Sequence, residues 1–271
     1  MAQSNTPVCP RPFLRWAGSK RQLVPRLREF WTPEFRRYVE PFAGSSALFF
    51  AIRPARAFLA DKNTELIESY EVIREYPVEL YDAVTSIPRD EQTYYKLRDQ
   101  NPAVLSRFDR VVRFVYLNRY CFNGLYRTNS QGAFNVPYSP YGTGTFPSVE
   151  YFIACADALR GVALRAWDFG KTLRCVRDGD FVYMDPPYAV SSRRVFREYG
   201  ASSFASRDLL RLSKHLRRIH ERGARFLLTY ADCSEARKVF ACWSKKRIRV
   251  RRNIAGFANA RRNAFELLVF N

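Results

Sequence analysis

The 271-residue sequence predicts an α/β protein. A mainly parallel, Rossmann-like sheet carries helices on both faces, and an inserted helical subdomain bears a β-hairpin. Three observations predict it. Short apolar runs alternate with helical periodicity near both ends of the chain. The first run leads into a small-residue turn and the second ends in an acid, the outline of a nucleotide-binding unit. From Thr64 to about Phe146 the alternation gives way to helical periodicity and an Asn/Gly-rich loop.

In chain order, Arg15 to Lys20 (Arg-Trp-Ala-Gly-Ser-Lys) precedes a helical pattern through Leu23, Leu27 and Phe30. Tyr38 to Ala43 reads as a strand running into Gly44-Ser45-Ser46, and Ala47 to Ile52 starts a helix. Ala57 to Ala60 is a second strand, closed by Asp61. Helical periodicity then dominates to Leu117, and Asn118 to Tyr141 forms a loop. Within it, Asn129-Ser130-Gln131-Gly132 is the turn of a small hairpin. Val149 to Leu159 reads as helix, Ala163 to Phe169 as strand, and the Phe181 strand follows. A helix over Ser206 to Arg222, a strand over Arg225 to Tyr230, and an antiparallel pair (Ile248 to Val250, Phe265 to Phe270) complete the sheet. The division is a catalytic part, residues 1–63 and 147–271, around a target-recognition insertion, residues 64–146. Ligands of such a sheet sit beyond the carboxyl ends of its strands. Gly44, Asp61, Asp168 and Asp185 all fall at those ends.

A 47% hydrophobic content supports a real core. Forty-five Lys and Arg against 26 Asp and Glu give a net charge of +19, which implies a polyanionic partner, most simply nucleic acid. The first ten residues are polar, with no apolar leader, and no stretch approaches the ~20 apolar residues of a membrane span. The cysteines (Cys9, Cys121, Cys155, Cys175, Cys233, Cys242) are scattered, without a Cys-x-x-Cys pair. His215 and His220 lie in a basic helical stretch and read as solvated. These features predict reduced thiols, a cytoplasmic location, no metal site and no membrane partner.

The most informative run is Phe181 to Tyr188, Phe-Val-Tyr-Met-Asp-Pro-Pro-Tyr. A short strand ends in a carboxylate, and Pro186 and Pro187 hold Asp185 extended. The Asp185 carboxylate and the Pro186 carbonyl become two acceptors in a fixed relation. Such a pair suits a planar amine with two N–H donors, such as the exocyclic amino group of adenine. Two acceptors drawing on its hydrogens would favour tetrahedral geometry and free the lone pair. Tyr188 would stack on a flipped base. A Pro-stiffened turn is the plain alternative.

Other motifs leave two readings open. Pro41-Phe42-Ala43-Gly44-Ser45-Ser46 either lets backbone approach an anionic ligand group at a helix N-terminus, with Lys20 as an added cation, or is only a turn. Asp61, 17 positions after Gly44, accepts from ribose hydroxyls or caps a helix. Asp168-Phe169 reads an adenine ring or is an acid beside a core Phe. Trp16 is core, or lines a pocket beside Gly18 and Lys20. The loop Asn118 to Arg127 offers Asn and Arg for base edges and Phe122 and Leu125 as wedges, or is a buried aromatic loop. In Lys245 to Arg252, Arg249 and Arg251 alternate with Ile248 and Val250, a basic strand face that contacts phosphate or is merely solvated.

Four ordered blocks carry a resemblance: Phe13 to Lys20, Val39 to Ser46, Leu117 to Tyr138 and Asp185 to Tyr188. Together the chain resembles the Dam-type DNA adenine N6-methyltransferases, closest to the GATC-methylating members of restriction-modification systems, over nearly all of Phe13 to Phe270. The resemblance implies S-adenosylmethionine as cofactor, double-stranded DNA as substrate and base flipping. It implies a monomer or weak dimer with a possible cognate restriction nuclease, in a bacterial or phage system at the nucleoid. It implies cofactor contacts from Trp16, Gly18, Lys20, Glu40, Pro41, Phe42, Gly44, Ser45, Ser46, Asp61, Asp168, Phe169 and Asp185. The catalytic motif is Asp185, Pro186, Pro187 and Tyr188. DNA contacts fall to Arg15, which stands where Lys is common, and to Asn118, Arg119, Phe122, Asn123, Gly124, Leu125, Arg127, Asn129, Asn135, Pro137, Tyr138, Arg249 and Arg251. Arg127 is the expected reader of an internal guanine–cytosine pair. The chain departs from the family pattern at Ser19 and Ser46, where Gly is usual, at Val190, where Pro is frequent, and at Ala255 to Ala258. A positive φ at Ser19 or Ser46 would let a Cβ crowd the cofactor. Other outcomes are methylation of another exocyclic amine (RNA or cytosine) or a catalytically weakened DNA-binding regulator. Cytosine enzymes tend to carry Ser in place of Asp185.

Overall fold

The computed structural model of the protein describes residues 11–129, 131–141, 144–188, 204–251 and 263–271, with backbone alone at 251, 263 and 264. Val190, the 255–258 segment and the Arg251 side chain lie outside the described residues.

Seven strands form one sheet in the order β3-β2-β1-β4-β5-β7-β6. They are β1 (Arg37–Glu40), β2 (Ala57–Ala60), β3 (Ala163–Arg165), β4 (Asp180–Met184), β5 (Arg225–Ala231), β6 (Ser244–Arg251) and β7 (Asn263–Phe270). The first five in that order pair in parallel, and β7 joins β5 and β6 antiparallel. The chain leaves β1 toward β2 and β3, then returns to place β4 on the other side of β1. That reversal makes the carboxyl ends of β1 and β4 the crevice where an open α/β sheet binds ligands.

Period-2 alternation sorts each strand between two apolar layers. Tyr38, Leu59, Phe181, Tyr183, Leu227 and Leu268 enter one layer. Val39, Phe58, Val182, Met184, Phe226, Leu228 and Val269 enter the other. The first layer receives α1 (Val24–Arg28), α2 (Ala47–Ile52), α3 (Thr64–Glu75), α4 (Pro77–Thr85), α5 (Glu91–Arg98), α6 (Arg107–Tyr120) and α7 (Val149–Ala158). The second receives α8 (Phe169–Arg174), α9 (Ser206–Glu221) and α10 (Ser234–Val239). Residues within 64–146, such as Leu80, Tyr94, Phe114 and Val136, share one cluster with the sheet residues.

Capping chemistry sets several helix starts. Asn63, Asp90 and Ser106 each accept an amide at the head of α3, α5 and α6. The helix expected through Phe30 is shorter. Pro25 sits in its first turn, and α1 stops at Arg28, ahead of Pro33, whose ring disfavours helical geometry at Thr32. The strand expected to Phe169 ends at Arg165. Beyond it, the Asp168 carboxylate accepts from the Gly170 amide at 2.8 Å and starts α8. The hairpin forms within the described residues: Thr128 bridges Phe134, and Asn129 Oδ1 accepts from the amides of Gln131 and Ala133.

His215 corrects an expectation. It is buried, not solvated, because it lies beside Leu212, Leu216 and Ile219 on the apolar stripe of α9. Its ring meets Phe169 edge-on at 6.2 Å. Burial, reinforced by Arg218, Arg211 and Arg174, lowers its pKa from 6.5 to about 4. The folded state therefore binds fewer protons than the unfolded state between those values, and stability falls as the pH drops through them. Urea melts from pH 6.5 to pH 4 should show a loss on the order of 1 kcal/mol from this site, after solvent screening. His215→Leu should abolish that share. An unchanged pH slope in the variant would count against it. No helix of the described residues is long and apolar enough to cross a membrane.

Candidate active site

The carboxyl edge of the sheet gathers polar side chains on one face. Glu40 follows Tyr38 by two positions on β1, Asp185 follows Tyr183 beyond β4, and Thr229 follows Leu227 on β5. All therefore point into the same layer. β7 runs antiparallel, so its early residue Glu266, two before Leu268, arrives at this same edge.

Asp185 is held from two sides. Thr229 Oγ1 donates to its Oδ1 at 2.7 Å, and Lys20 Nζ lies 2.9 Å from the same oxygen. Lys20 also donates to the Gly18 carbonyl at 3.1 Å and lies 3.8 Å from Glu266 Oε1. Burial alone would lower the Lys20 ammonium, but Asp185, Tyr188 and Glu266 outweigh it and push its pKa up. Lys20 thus turns to Asp185 and not toward the Gly44 turn. The Tyr188 hydroxyl donates to Glu266 Oε1 at 2.7 Å, and its ring meets Tyr230 edge-on at 5.2 Å. Pro186 is buried and Pro187 exposed. Glu40 is buried and accepts from the Tyr38 hydroxyl at 3.0 Å. Burial first, then the nearby Asp185 charge, raises its pKa well above the carboxylate range.

The turn after β1 needs its glycine. Gly44 has φ +46, and a Cβ there would sit 3.0 Å from the Trp16 ring. Its amide donates to Asp61 Oδ2 at 3.1 Å, its carbonyl accepts from the Tyr70 hydroxyl at 2.6 Å, and Asp61 Oδ1 takes the Asn63 amide at 3.0 Å. Burial raises the Asp61 pKa against these bonds. Ser19 and Ser45 share a hydroxyl bond of 2.9 Å. Gly18, at φ +82, faces open space. Ser46 is left-handed at φ 48, whereas Ser19 is not. The Ser46 hydroxyl turns back to the Ala43 carbonyl at 3.2 Å, and the residue is buried within the turn. The strained φ remains, so Ser46→Gly should raise unfolding free energy by about 1 kcal/mol in denaturant melts. A destabilised variant would refute the strain argument. α2 spans only six residues, so its dipole adds little.

Nearby, Phe42 stacks on Phe169 at 5.1 Å. Arg211 bonds the Asp168 carboxylate and lies over the Phe169 ring at 3.9 Å. Trp16 stacks on Tyr126 at 5.7 Å and so ties this turn to the 118–138 loop.

That loop is anchored through Arg15. Asn118 is buried, its amide accepting from Arg15 N at 2.9 Å and donating to Arg15 O at 2.6 Å. It supports Arg15 and is not presented outward. The Arg15 guanidinium donates to Arg119 O at 2.9 Å at the end of α6. Gly124, at φ +62, packs so closely that a Cβ would lie 2.6 Å from Arg15 Cβ. Arg119 donates to Thr145 O. Phe122 is 40% exposed, next to exposed Asn123 at φ 55, and its amide donates to Pro137 O at 2.9 Å. An apolar ring so displayed fits a contact surface. Leu125 is half-buried, and Tyr138, which bridges Cys121, packs on Tyr94. Arg127 donates through Nε to Asn135 Oδ1 at 2.8 Å and through Nη2 to Asn135 O at 3.2 Å. On β6, Arg249 is exposed and Ile248 buried.

Asp-Pro-Pro-Tyr thus stands at the switch point of a mainly parallel sheet. The model of the D12 class N6 adenine-specific DNA methyltransferase family matches residues 16–254. The chain belongs to this adenine-specific DNA methyltransferase family. It is 31% identical to the Type II methyltransferase M1.LlaDCHI of Lactococcus lactis subsp. cremoris, over 96% of this chain and 95% of that protein. It is 30% identical to the DNA adenine methylase of Escherichia coli, over 95% and 94%. It is 32% identical to that of Haemophilus influenzae, over 95% and 92%. In this methyltransferase, Thr229, Glu266 and Arg211 join the site from outside every sequence motif. A polar residue at a buried position of an apolar strand was the available signal for the first two; Arg211 offered none.

Proposed function

We propose that the crevice between β1 and β4 methylates the N6 amino group of a flipped adenine in duplex DNA, with GATC as target and S-adenosylmethionine as donor. The observation that carries this reading is the Asp185 carboxylate, fixed by Thr229 and Lys20 at the switch point. The chain fits the donor: the Gly44 turn admits no Cβ, Gly18 borders open space, Asp61 accepts from the Gly44 amide, and Phe169 stacks on Phe42 of the same turn. The Gly44 turn, Trp16 and Asp61 would hold it, with Asp168 and Phe169 at its adenine end. When bound, the donor supplies an electrophilic methyl.

The chain's own residues do the rest. The base leaves the stack, and Phe122 fills toward the gap. Tyr188 stacks on the extruded ring. The Asp185 carboxylate and Pro186 carbonyl accept the two amino hydrogens and aim the nitrogen lone pair. Asp185 needs orientation more than basicity, and Lys20 keeps its oxygen in place. Residues 1–63 and 147–271 form the catalytic part and 64–146 the recognition part. Arg15, Arg127 and the basic β6 edge face DNA, and the +19 charge draws it in. We place the protein in the cytoplasm at the nucleoid, as a monomer or weak dimer.

Expression in a methylation-deficient host, followed by sequencing of its genome for modified adenines, tests activity and target together. N6-methyladenine confined to GATC is the expected result. A genome with no methylated adenine refutes the reading, and methylation at another motif refutes GATC alone.

A further inference from the structure

We propose that Glu266 is a positioning residue of the methyl-transfer site, acting through the Tyr188 hydroxyl and the Lys20 ammonium. This rests on the reading of Asp185 and Tyr188 as the groups that meet the flipped adenine.

Glu266 is a carboxylate on an otherwise apolar stripe of β7. It shares a face with Leu268 and Phe270, and an apolar residue would continue that stripe. It is 4% exposed, between β5 and β6, opposite Ala231 and Ile248. A buried carboxylate is costly unless it is paired and hydrogen-bonded. Tyr188 and Lys20, both members of the site, meet it. Its Oε1 accepts the Tyr188 hydroxyl at 2.7 Å and lies 3.8 Å from Lys20 Nζ.

The consequence is geometric. A tyrosine that stacks on a base must hold its ring plane before the base arrives. Tyr230, edge-on at 5.2 Å, limits one side of the ring, and Glu266 fixes its tip. Lys20 lies between two carboxylates, Asp185 at 2.9 Å and Glu266 at 3.8 Å, with its ammonium 5.5 Å from the Tyr188 ring. Glu266 therefore links the stacking ring to the cation that fixes the polarising acid. Without that link both must be ordered during each turnover, which slows the step that needs alignment and leaves donor binding alone.

The test uses the full chain, S-adenosylmethionine and a duplex carrying the methylated sequence that the host genome reveals. Glu266→Gln, Tyr188→Phe and the double variant are compared. Gln keeps the volume and an acceptor, and Phe keeps the ring. Each single variant should lower kcat roughly tenfold, with KM for S-adenosylmethionine changed by less than about twofold. The double variant should be no slower than the worse single, because both remove one linkage. With 2-aminopurine at the target adenine, both variants should lose fluorescence gain on binding. Thermal melts check that each variant is folded; if Glu266→Gln does not fold, an undiminished kcat and fluorescence gain in Tyr188→Phe overturn the proposal. It is likewise overturned by an unchanged kcat in Glu266→Gln, or by a double variant slowed by the product of the singles. If Asp185→Ala keeps full transfer, the underlying reading of the site fails. If Asp185→Ala is inactive while Glu266→Gln is unimpaired, only the assignment of Glu266 fails.

Discussion

Asp185→Ala should lower methyl transfer by about a thousandfold or more, measured as labelled methyl incorporated into duplex DNA. Thr229 and Lys20 hold one oxygen of this carboxylate, and on the proposed reading its loss removes the acceptor that would align the amino nitrogen. The fold should survive. Lys20 keeps the Gly18 carbonyl and Glu266, and the apolar layers on both faces of β4 are untouched. Duplex binding should change little, because phosphate contacts dominate affinity. Asp185→Asn is the sharper variant. It keeps the shape but presents an NH₂ donor to an amine that also needs acceptors, and it should remain far below the native rate. Undiminished incorporation by either variant would remove Asp185 from the mechanism. Equal loss of DNA binding and transfer would show a structural role instead.

Arg127→Ala should relax selectivity at one guanine–cytosine pair by about 1–3 kcal/mol. Two of the five guanidinium N–H groups bond Asn135, which fixes the plane and leaves the others for a base edge. The hairpin that carries Asn135 is itself tied at Thr128 and Phe134, so the guanidinium is oriented before DNA arrives. Competition among duplexes with single base changes measures the effect. Loss of discrimination at one position is expected. Uniform weakening at every sequence would make Arg127 a phosphate contact.

Local rules made much of this molecule legible. β2 is Ala57–Ala60, where four apolar residues are followed by an acid. The ends of β4 and β5 and the span of α9 lie within a residue or two of expectation, because apolar alternation and helical spacing are local properties. The basic neighbours of His215 suggest exposure, but its place on the α9 stripe buries it. The Ala163 strand is shorter than its apolar pattern suggests, because Asp168 is a helix cap that accepts from Gly170 and not a strand-end acid. Asn118 looked like a base reader by residue type, and its amide serves the Arg15 backbone instead.

The sequence by itself determined the two-faced, mainly parallel sheet, the basic charge and the Asp-Pro-Pro-Tyr motif at a strand end. These follow from period, composition and neighbouring residues. Only the tertiary structure decided what surrounds Asp185. Thr229 is 44 positions from Asp185, and Glu266 is 78 from Tyr188. No local pattern encodes that the last strand runs antiparallel beside β5, and that pairing alone carries the early residues of β7 to the carboxyl edge of the parallel strands.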